Sequence, residues 1–153
     1  MNKKQLIIAA IAATLSVSGA FAATDITGVN GNNGVFNITP DKLNGEVGYR
    51  KYDNFNLSAG DIANLIYKYG NSRDINTFIN LVQNGVKIDG ILNTMRDGNF
   101  YNGQAVFITP GGMTVGASGV LNVGSLSVIT PTNDAYNSCL LYTSPSPRDR
   151  SLS

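Results

Sequence analysis

Gln104 to Pro131 reads QAVFITPGGMTVGASGVLNVGSLSVITP. Val106 and Ile108 alternate with Phe107 and Thr109. Further on, Val120, Asn122, Gly124, Leu126 and Val128 form one period-two row, and Leu121, Val123, Ser125, Ser127 and Ile129 the other. Alternation at period two is the mark of a strand, because successive side chains leave opposite faces. The strands are cut by Thr109-Pro110-Gly111-Gly112 and by Gly116-Ala117-Ser118-Gly119. Proline presets φ for a turn, and glycine reaches φ > 0 without a Cβ clash. Short apolar strands at close, regular turns fit a coiling β-solenoid or a hairpin meander, and periodicity alone favours neither. Val106, Phe107, Ile108, Val120, Leu121 and Val123 are the core candidates of this densest apolar stretch. Phe107, the largest, is expected inside whichever row faces inward.

Working outward, Val86, Ile88, Gly90 and Leu92 alternate with Lys87, Asp89 and Ile91. Asp97-Gly98 and Asn102-Gly103 are turns on either side of Phe100-Tyr101, which suggests a small hairpin. Ser58 to Tyr69 carries Ile62, Leu65, Ile66 and Tyr69 at helical spacing, with Ser58 and Asp61 at capping-box spacing and Gly70 as a stop. Asp74 to Val82 has a similar stripe of Ile75, Phe78, Ile79 and Val82. Helix and strand both remain open for these two segments. Val29 to Pro40 combines the turn Asn32-Asn33-Gly34 with a short strand, and a second turn is expected from Pro40 to Gly45. Residues 24 to 50 are the expected cap of the first coil, because a solenoid's open end exposes apolar surface and strand edges.

The order of these segments resembles the secretion domain of filamentous-haemagglutinin-like exoproteins, which leave the cell by two-partner secretion. The resemblance rests on Ala105 to Met113, Val115-Gly116 and Gly119 to Gly124. It extends upstream through Val86 to Leu92, Thr77 to Val82 and Phe55 to Gly60. It covers roughly Asn30 to Thr132 and is nearest the leukotoxin-like branch of filamentous adhesins. The family's turn is Asn-Pro-Asn-Gly. Here Thr109, Pro110, Gly111 and Gly112 stand in its place, so both turn asparagines are missing. The resemblance implies an all-β fold, a right-handed parallel β-helix with an N-terminal cap and room for one or two short helices. It implies a secretion-targeting function with no enzymatic activity and no cofactor. The implied partners are the secretory translocon, an outer-membrane barrel transporter with periplasmic recognition domains, and a host-cell surface ligand bound by further C-terminal sequence. The implied destination is the surface or exterior of a Gram-negative-type bacterium, reached through the periplasm.

Composition agrees with a turn-dense β-domain. The 153 residues have a formal net charge of +1. Residues 23–137 hold 7 Lys/Arg and 9 Asp/Glu, a balance of −2, so nothing points to nucleic acid. The chain has no His and no Trp, and its one Cys is Cys139. Ser-His and Cys-His catalysis are therefore excluded within it, as is a Cys/His zinc cluster. No phosphate-loop Lys-Ser/Thr follows the glycine-rich turns. Asp89 and Asp97 are the remaining acid/base candidates, but each directly precedes a glycine, as turn residues do. Tyr49, Tyr52, Tyr67, Tyr69 and Tyr101 are candidates for a sugar-binding face or for amphipathic positions on solenoid flanks. Asn64, Asn80, Asn93 and Asn122 are expected at corners, bonding the backbone of a neighbouring coil. A polysaccharide-active solenoid enzyme and an autotransporter passenger are the alternative functions.

The two ends read differently from the middle. Met1 to Ala22 has Lys3 and Lys4, an apolar run from Leu6 to Val17 and Gly19-Ala20-Phe21-Ala22, the pattern of a secretory signal peptide cleaved after Ala22. The apolar run is shorter than the ~20 residues of a membrane span. The domain is read as 23–137. Ser138 to Ser153 breaks the composition, and Cys139 to Asp149 resembles the in-frame translation of a sequencing adaptor. The segment 138–153 is expected to be such an artefact without ordered structure.

Overall fold

The computed structural model describes residues 22 to 142 as a β-solenoid of about three turns with one short helix. Three strands make each coil. The first consists of β4 (Val47–Tyr52), β5 (Phe55–Leu57) and β6 (Ile62–Ile66). The second consists of β9 (Thr77–Val82), β10 (Val86–Ile88) and β11 (Ile91–Arg96). The third consists of β13 (Gln104–Ile108), β14 (Met113–Val115) and β15 (Val120–Asn122), and β16 (Ser125–Ile129) begins a fourth. Strands of successive coils pair in parallel, which forms three sheets. Sheet A stacks β5, β10 and β14, sheet B stacks β6, β11 and β15, and sheet C stacks β4, β9, β13 and β16. The open choice between solenoid and meander thus falls to the solenoid.

Register explains the core. In sheet C, Val47 pairs with Thr77, Thr77 with Gln104 and Gln104 with Ser125, so successive coils take 30, 27 and 21 residues. The longer coils carry excursions. β7 (Lys68–Tyr69) and β8 (Arg73–Asp74) form a hairpin after β6, and β12 (Asn99–Phe100) folds back on β11. The third coil passes from β15 to β16 through Val123 and Gly124 alone. Because the excursions sit at one corner, the strands keep their alignment, and inward rows stack on like rows. Phe55 lies under Val86 and Met113, Leu57 under Ile88 and Val115, and Ala63 under Leu92 and Leu121. In sheet C the inward positions are Phe78 with Ala105, and Val82 on the row of Tyr52. All of these except Met113, Val115 and Leu121, which belong to the last coil, are buried. Tyr52, Phe55 and Phe107 meet edge to face, with centroids 5.2 and 5.4 Å apart.

The segments with helical spacing are strands. Ile62, Leu65, Ile66 and Tyr69 do not share a face. Ala63, Leu65 and Tyr67 point inward and are buried, while Ile62, Asn64 and Ile66 are partly exposed. Likewise Asp74 to Val82 contains β9. Parallel neighbours on both edges satisfy the backbone of β6 and β9, and such tertiary pairing overrides weak helix propensity.

The N-terminal end is closed by strands of opposite sense. β1 (Asp25–Ile26) runs antiparallel to β5, and β3 (Lys42–Asn44) antiparallel to β4, while β2 (Val35–Ile38) pairs in parallel with β6. Pro40 to Gly45, expected as a turn, therefore contains a strand, and the turn is displaced to Gly45 with its φ of 65°. At the other end β14, β15 and β16 each pair with one neighbour only among the described residues. Val115 and Val128 sit on inward rows there, yet are 42% and 39% exposed because no coil covers them.

Helix α1 (Asn133–Tyr142) follows the last strand. Thr132 caps it, its Oγ1 accepting from the Ala135 N–H at 3.1 Å. Tyr136 is buried, and burial pushes its phenol up to about 12, with the Asp53 carboxylate adding to the effect. Residues 138 to 142, expected without ordered structure, belong to this helix, a correction at the domain boundary. The rest of the tail, and Met1 to Phe21 of the expected signal peptide, lie outside the described residues.

Candidate functional site

The acid/base candidates do not meet as a pair. Asp89 lies 3.9 Å from Lys87 Nζ, and Asp97 lies 3.3 Å from Lys68 Nζ. Lys68 also holds Asp74 at 2.8 Å. Its bonds to Asp74 and then Asp97 raise the lysine pKa, and the same bond to Lys68 lowers that of Asp74. Arg96 completes the cluster. It donates to the carbonyls of Tyr67 and Ile75, and its guanidinium lies 3.7 Å from the centroid of the Tyr101 ring. These groups fasten the β7–β8 hairpin to β11, and their charges are spent on one another.

Nor do the tyrosines form a sugar-binding face. Tyr52 and Tyr67 are buried, their hydroxyls donating to Asn80 Oδ1 at 2.5 Å and to the Gln104 carbonyl at 2.7 Å. Burial lifts both phenols well above the ordinary tyrosine range. Tyr49, Tyr69 and Tyr101 are half-buried on separate elements.

Thr109 to Gly112 is a turn at the corner between sheets C and A. The Gly112 N–H donates to the Thr109 carbonyl at 3.1 Å, and Gly112 has φ 77°. A Cβ on Gly111 would lie 2.9 Å from the Gly85 backbone of the coil below, so close approach of coils demands glycine there. Thr109 is buried, and its Oγ1 has no hydrogen-bond partner among the described residues. Of the core candidates, Phe107 is fully buried and Val106 nearly so, while Ile108, Leu121 and Val123 are intermediate. Val120 is a correction. It is 44% exposed, on the outward row of sheet B.

The asparagines do something the sequence did not disclose. Asn37, Asn64, Asn93 and Asn122 occupy one register across sheet B. Each amide donates to the one below. Asn64 Nδ2 bonds Asn37 Oδ1 at 3.0 Å, Asn93 Nδ2 bonds Asn64 Oδ1 at 2.9 Å, and Asn122 Nδ2 bonds Asn93 Oδ1 at 3.0 Å. They form a ladder on the outer face, not corner contacts to backbone. Asn37 was missed, because spacings of 27 and 29 residues carry meaning only once the coil length is known. Asn80 alone bonds a neighbouring coil's backbone. It is fully buried, and its Nδ2 donates to Val106 O and Phe78 O, each at 3.3 Å.

The expected cap, residues 24 to 50, holds the strands that close the N-terminal end and reaches into the first coil. Arg50 is its centre. Its guanidinium donates to the carbonyls of Thr39 at 3.0 Å and Gly28 at 3.2 Å, and pairs with Asp41 at 3.3 Å. One side chain thus ties the first coil to the strands that close it. β2 and β3 are each the end strand of their sheet, and on the outer side of β2 Val35 exchanges both backbone bonds with Asn32. The chain upstream is held as well. Thr24 Oγ1 accepts from the Ser58 N–H at 2.8 Å and donates to Asp61 at 2.6 Å, and Ser58 Oγ donates to the Ala22 carbonyl. Ala22, the cleavage candidate, is exposed beside this anchor. No family model, curated protein or solved structure matches the chain.

Proposed function

We propose that the chain is the N-terminal secretion-targeting domain of a large exported adhesin of the filamentous-haemagglutinin-like kind, recognised by an outer-membrane barrel transporter and nucleating solenoid folding outside the cell. The observation that carries this reading is the asymmetry of the solenoid. Antiparallel strands and Arg50 close its N-terminal end, while among the described residues β14, β15 and β16 at the other end leave three parallel edges unpaired. A closed start and an extendable finish suit a nucleus on which further coils stack in order of emergence, since each coil of a solenoid touches only its neighbours. The signal-peptide pattern supplies the first step, delivery to the periplasm through the secretory translocon. Absence of Cys from residues 23–137 means that no disulfide forms between them in that oxidising compartment. β2 and β3 are end strands within Asn30 to Asn56, and past the Asn32–Val35 bridge their position suits strand addition by a transporter's periplasmic domains.

The test is export in cells that produce a two-partner-secretion barrel transporter, compared with cells that lack it. Deleting residues 24–57 removes β1 to β5 and the whole recognition segment, and export should fall to the level seen without the transporter. Undiminished export of that deletion overturns the reading.

A further inference from the structure

Outside the capped end, the outer face of sheet B differs from the other surfaces. Its rows are Val35, Ile62, Ile91 and Val120, then the asparagine ladder, then Ile66 and Met95. No charged side chain stands in these rows. At its upper end a groove of about 460 Å³ is lined by Asn93, Met95, Phe100, Leu121, Asn122 and Val123. Its size lies in the range of small-ligand sites, which combine apolar walls with a few polar groups.

Phe100 is the wall that most needs explanation. It is 57% exposed, the most exposed of the large hydrophobic side chains described. It is mounted rigidly. The Asp97-Gly98 turn has φ of 52° and 83°, which closes the β11–β12 hairpin. The next residue is held at both backbone groups. The Tyr101 N–H donates to Thr94 O at 2.9 Å, and Thr94 Oγ1 donates to Tyr101 O at 2.6 Å. Arg96 stacks on the Tyr101 ring. An exposed aromatic ring on a fixed backbone loses little entropy when a ligand covers it.

The ladder supplies the polar groups. A side-chain amide has two N–H donors and an acceptor oxygen with two lone pairs. Asn93 and Asn122 each spend one N–H on the ladder, so each keeps a second. Asn122 Oδ1 accepts from nothing among the described residues. The amides recur at the strand spacing of ~4.8 Å.

We propose that this groove binds an uncharged pyranose chain, one sugar ring lying on Phe100 and its hydroxyl or acetamido groups bonding the Asn93 and Asn122 amides. The C–H face of a pyranose suits the negative face of an aromatic ring. Its hydroxyls and acetamido groups both give and take hydrogen bonds, as the amides do. Lack of charge in the groove selects against anionic glycans, whose carboxylates or sulfates would lose hydration with no cation to meet. A protein strand would instead pair with the outer backbone edge of β15 and leave the side-chain amides of the face unused.

The test is titration of the chain, ¹⁵N-labelled, with chitohexaose, cellohexaose and a heparin hexasaccharide, followed by NMR. The expected result is saturable movement of the Asn93 and Asn122 side-chain NH₂ signals with chitohexaose or cellohexaose and none with heparin. Chitohexaose acting alone identifies acetamido recognition, and cellohexaose acting as well identifies recognition through hydroxyls. Phe100→Ala and Asn122→Ala should each weaken binding at least tenfold with unchanged backbone spectra. Ile129→Ala, on an exposed side chain of sheet C, should leave it intact. No response to either neutral glycan at millimolar concentration overturns the proposal. So does heparin binding alone, undiminished binding by Phe100→Ala, or response only to an extended peptide.

Discussion

Replacing Asn80 by leucine tests whether the solenoid core depends on its one fully buried asparagine amide. Leucine matches asparagine closely in shape but forms none of its bonds. Three are lost: the Tyr52 hydroxyl donor at 2.5 Å, and the amide's own donations to Phe78 O and Val106 O at 3.3 Å. The long pair counts for little, since strand carbonyls also serve the sheet ladder. The Tyr52 phenol has no such reserve. It is 3% exposed, and a buried donor left without an acceptor costs about 1–3 kcal/mol. Asn80→Leu should therefore cost about 2 kcal/mol net, after some gain from apolar burial. Tyr52→Phe orphans only Asn80 Oδ1, the Nδ2 bonds staying in place, and should cost about 1 kcal/mol. In the double variant no polar atom is left over from the lost bond. Its cost should fall short of the sum by about 1.5 kcal/mol, since paired residues are not additive. Urea unfolding of the four proteins, followed by far-UV circular dichroism, measures this coupling. Additivity within about 0.5 kcal/mol would refute the reasoning, because it would mean that water or a repacked neighbour satisfies the phenol.

Other substitutions follow from the same geometry. Phe107→Ala, fully buried against Phe55, should cost roughly 3–5 kcal/mol in the same assay, and a loss below about 1 kcal/mol would contradict its interior position. Thr109→Val removes a buried hydroxyl that has no partner, and should leave stability unchanged or raise it by up to about 1 kcal/mol. Gly90→Ala should be far worse, because its methyl would overlap the Ser58 and Asp61 carbonyl oxygens of the coil below. Gly45, with open space around it, should tolerate alanine with only the strain of its positive φ, and equal losses would refute the difference. Stability should fall steeply in alkali. Tyr52 and Tyr67 hold their protons to higher pH folded than unfolded, so their contribution is full below the ordinary phenol pKa of about 10 and is lost above it, at about 1.4 kcal/mol per pH unit for each group. Tyrosinate absorbance should show both phenols ionising only as the chain unfolds.

The strands from Val86 onward were legible because their apolar residues alternate and glycine turns bound them. The segment from Ser58 to Val82 was not. Ile62, Leu65 and Ile66 fit a helix stripe locally, and only pairing with β2 and β11 decides for strand. Val120 misled for a related reason, since alternation gives two rows without saying which is inside. The groups with the most specific contacts were the least visible. Arg50 lies between two chain stretches, residues 28 and 39–41, that the fold alone brings together. The ladder depends on the register of sheet B, with members 27 and 29 residues apart, and no local window contains two of them. Helix α1 went unread because the compositional break at Ser138 falls inside it.

Unequal coil lengths have a use in engineering. The corner between sheets B and C absorbs a hairpin in the first coil, a shorter fold-back in the second and only two residues in the third, with strand alignment preserved throughout. That corner is a natural graft point. A foreign peptide spliced at Gly98, where nothing lies within 4 Å of an added methyl, would hang from the solenoid as the native excursions do. Several such grafts, one per coil, would display epitopes in a row at strand spacing along one edge of a rigid rod.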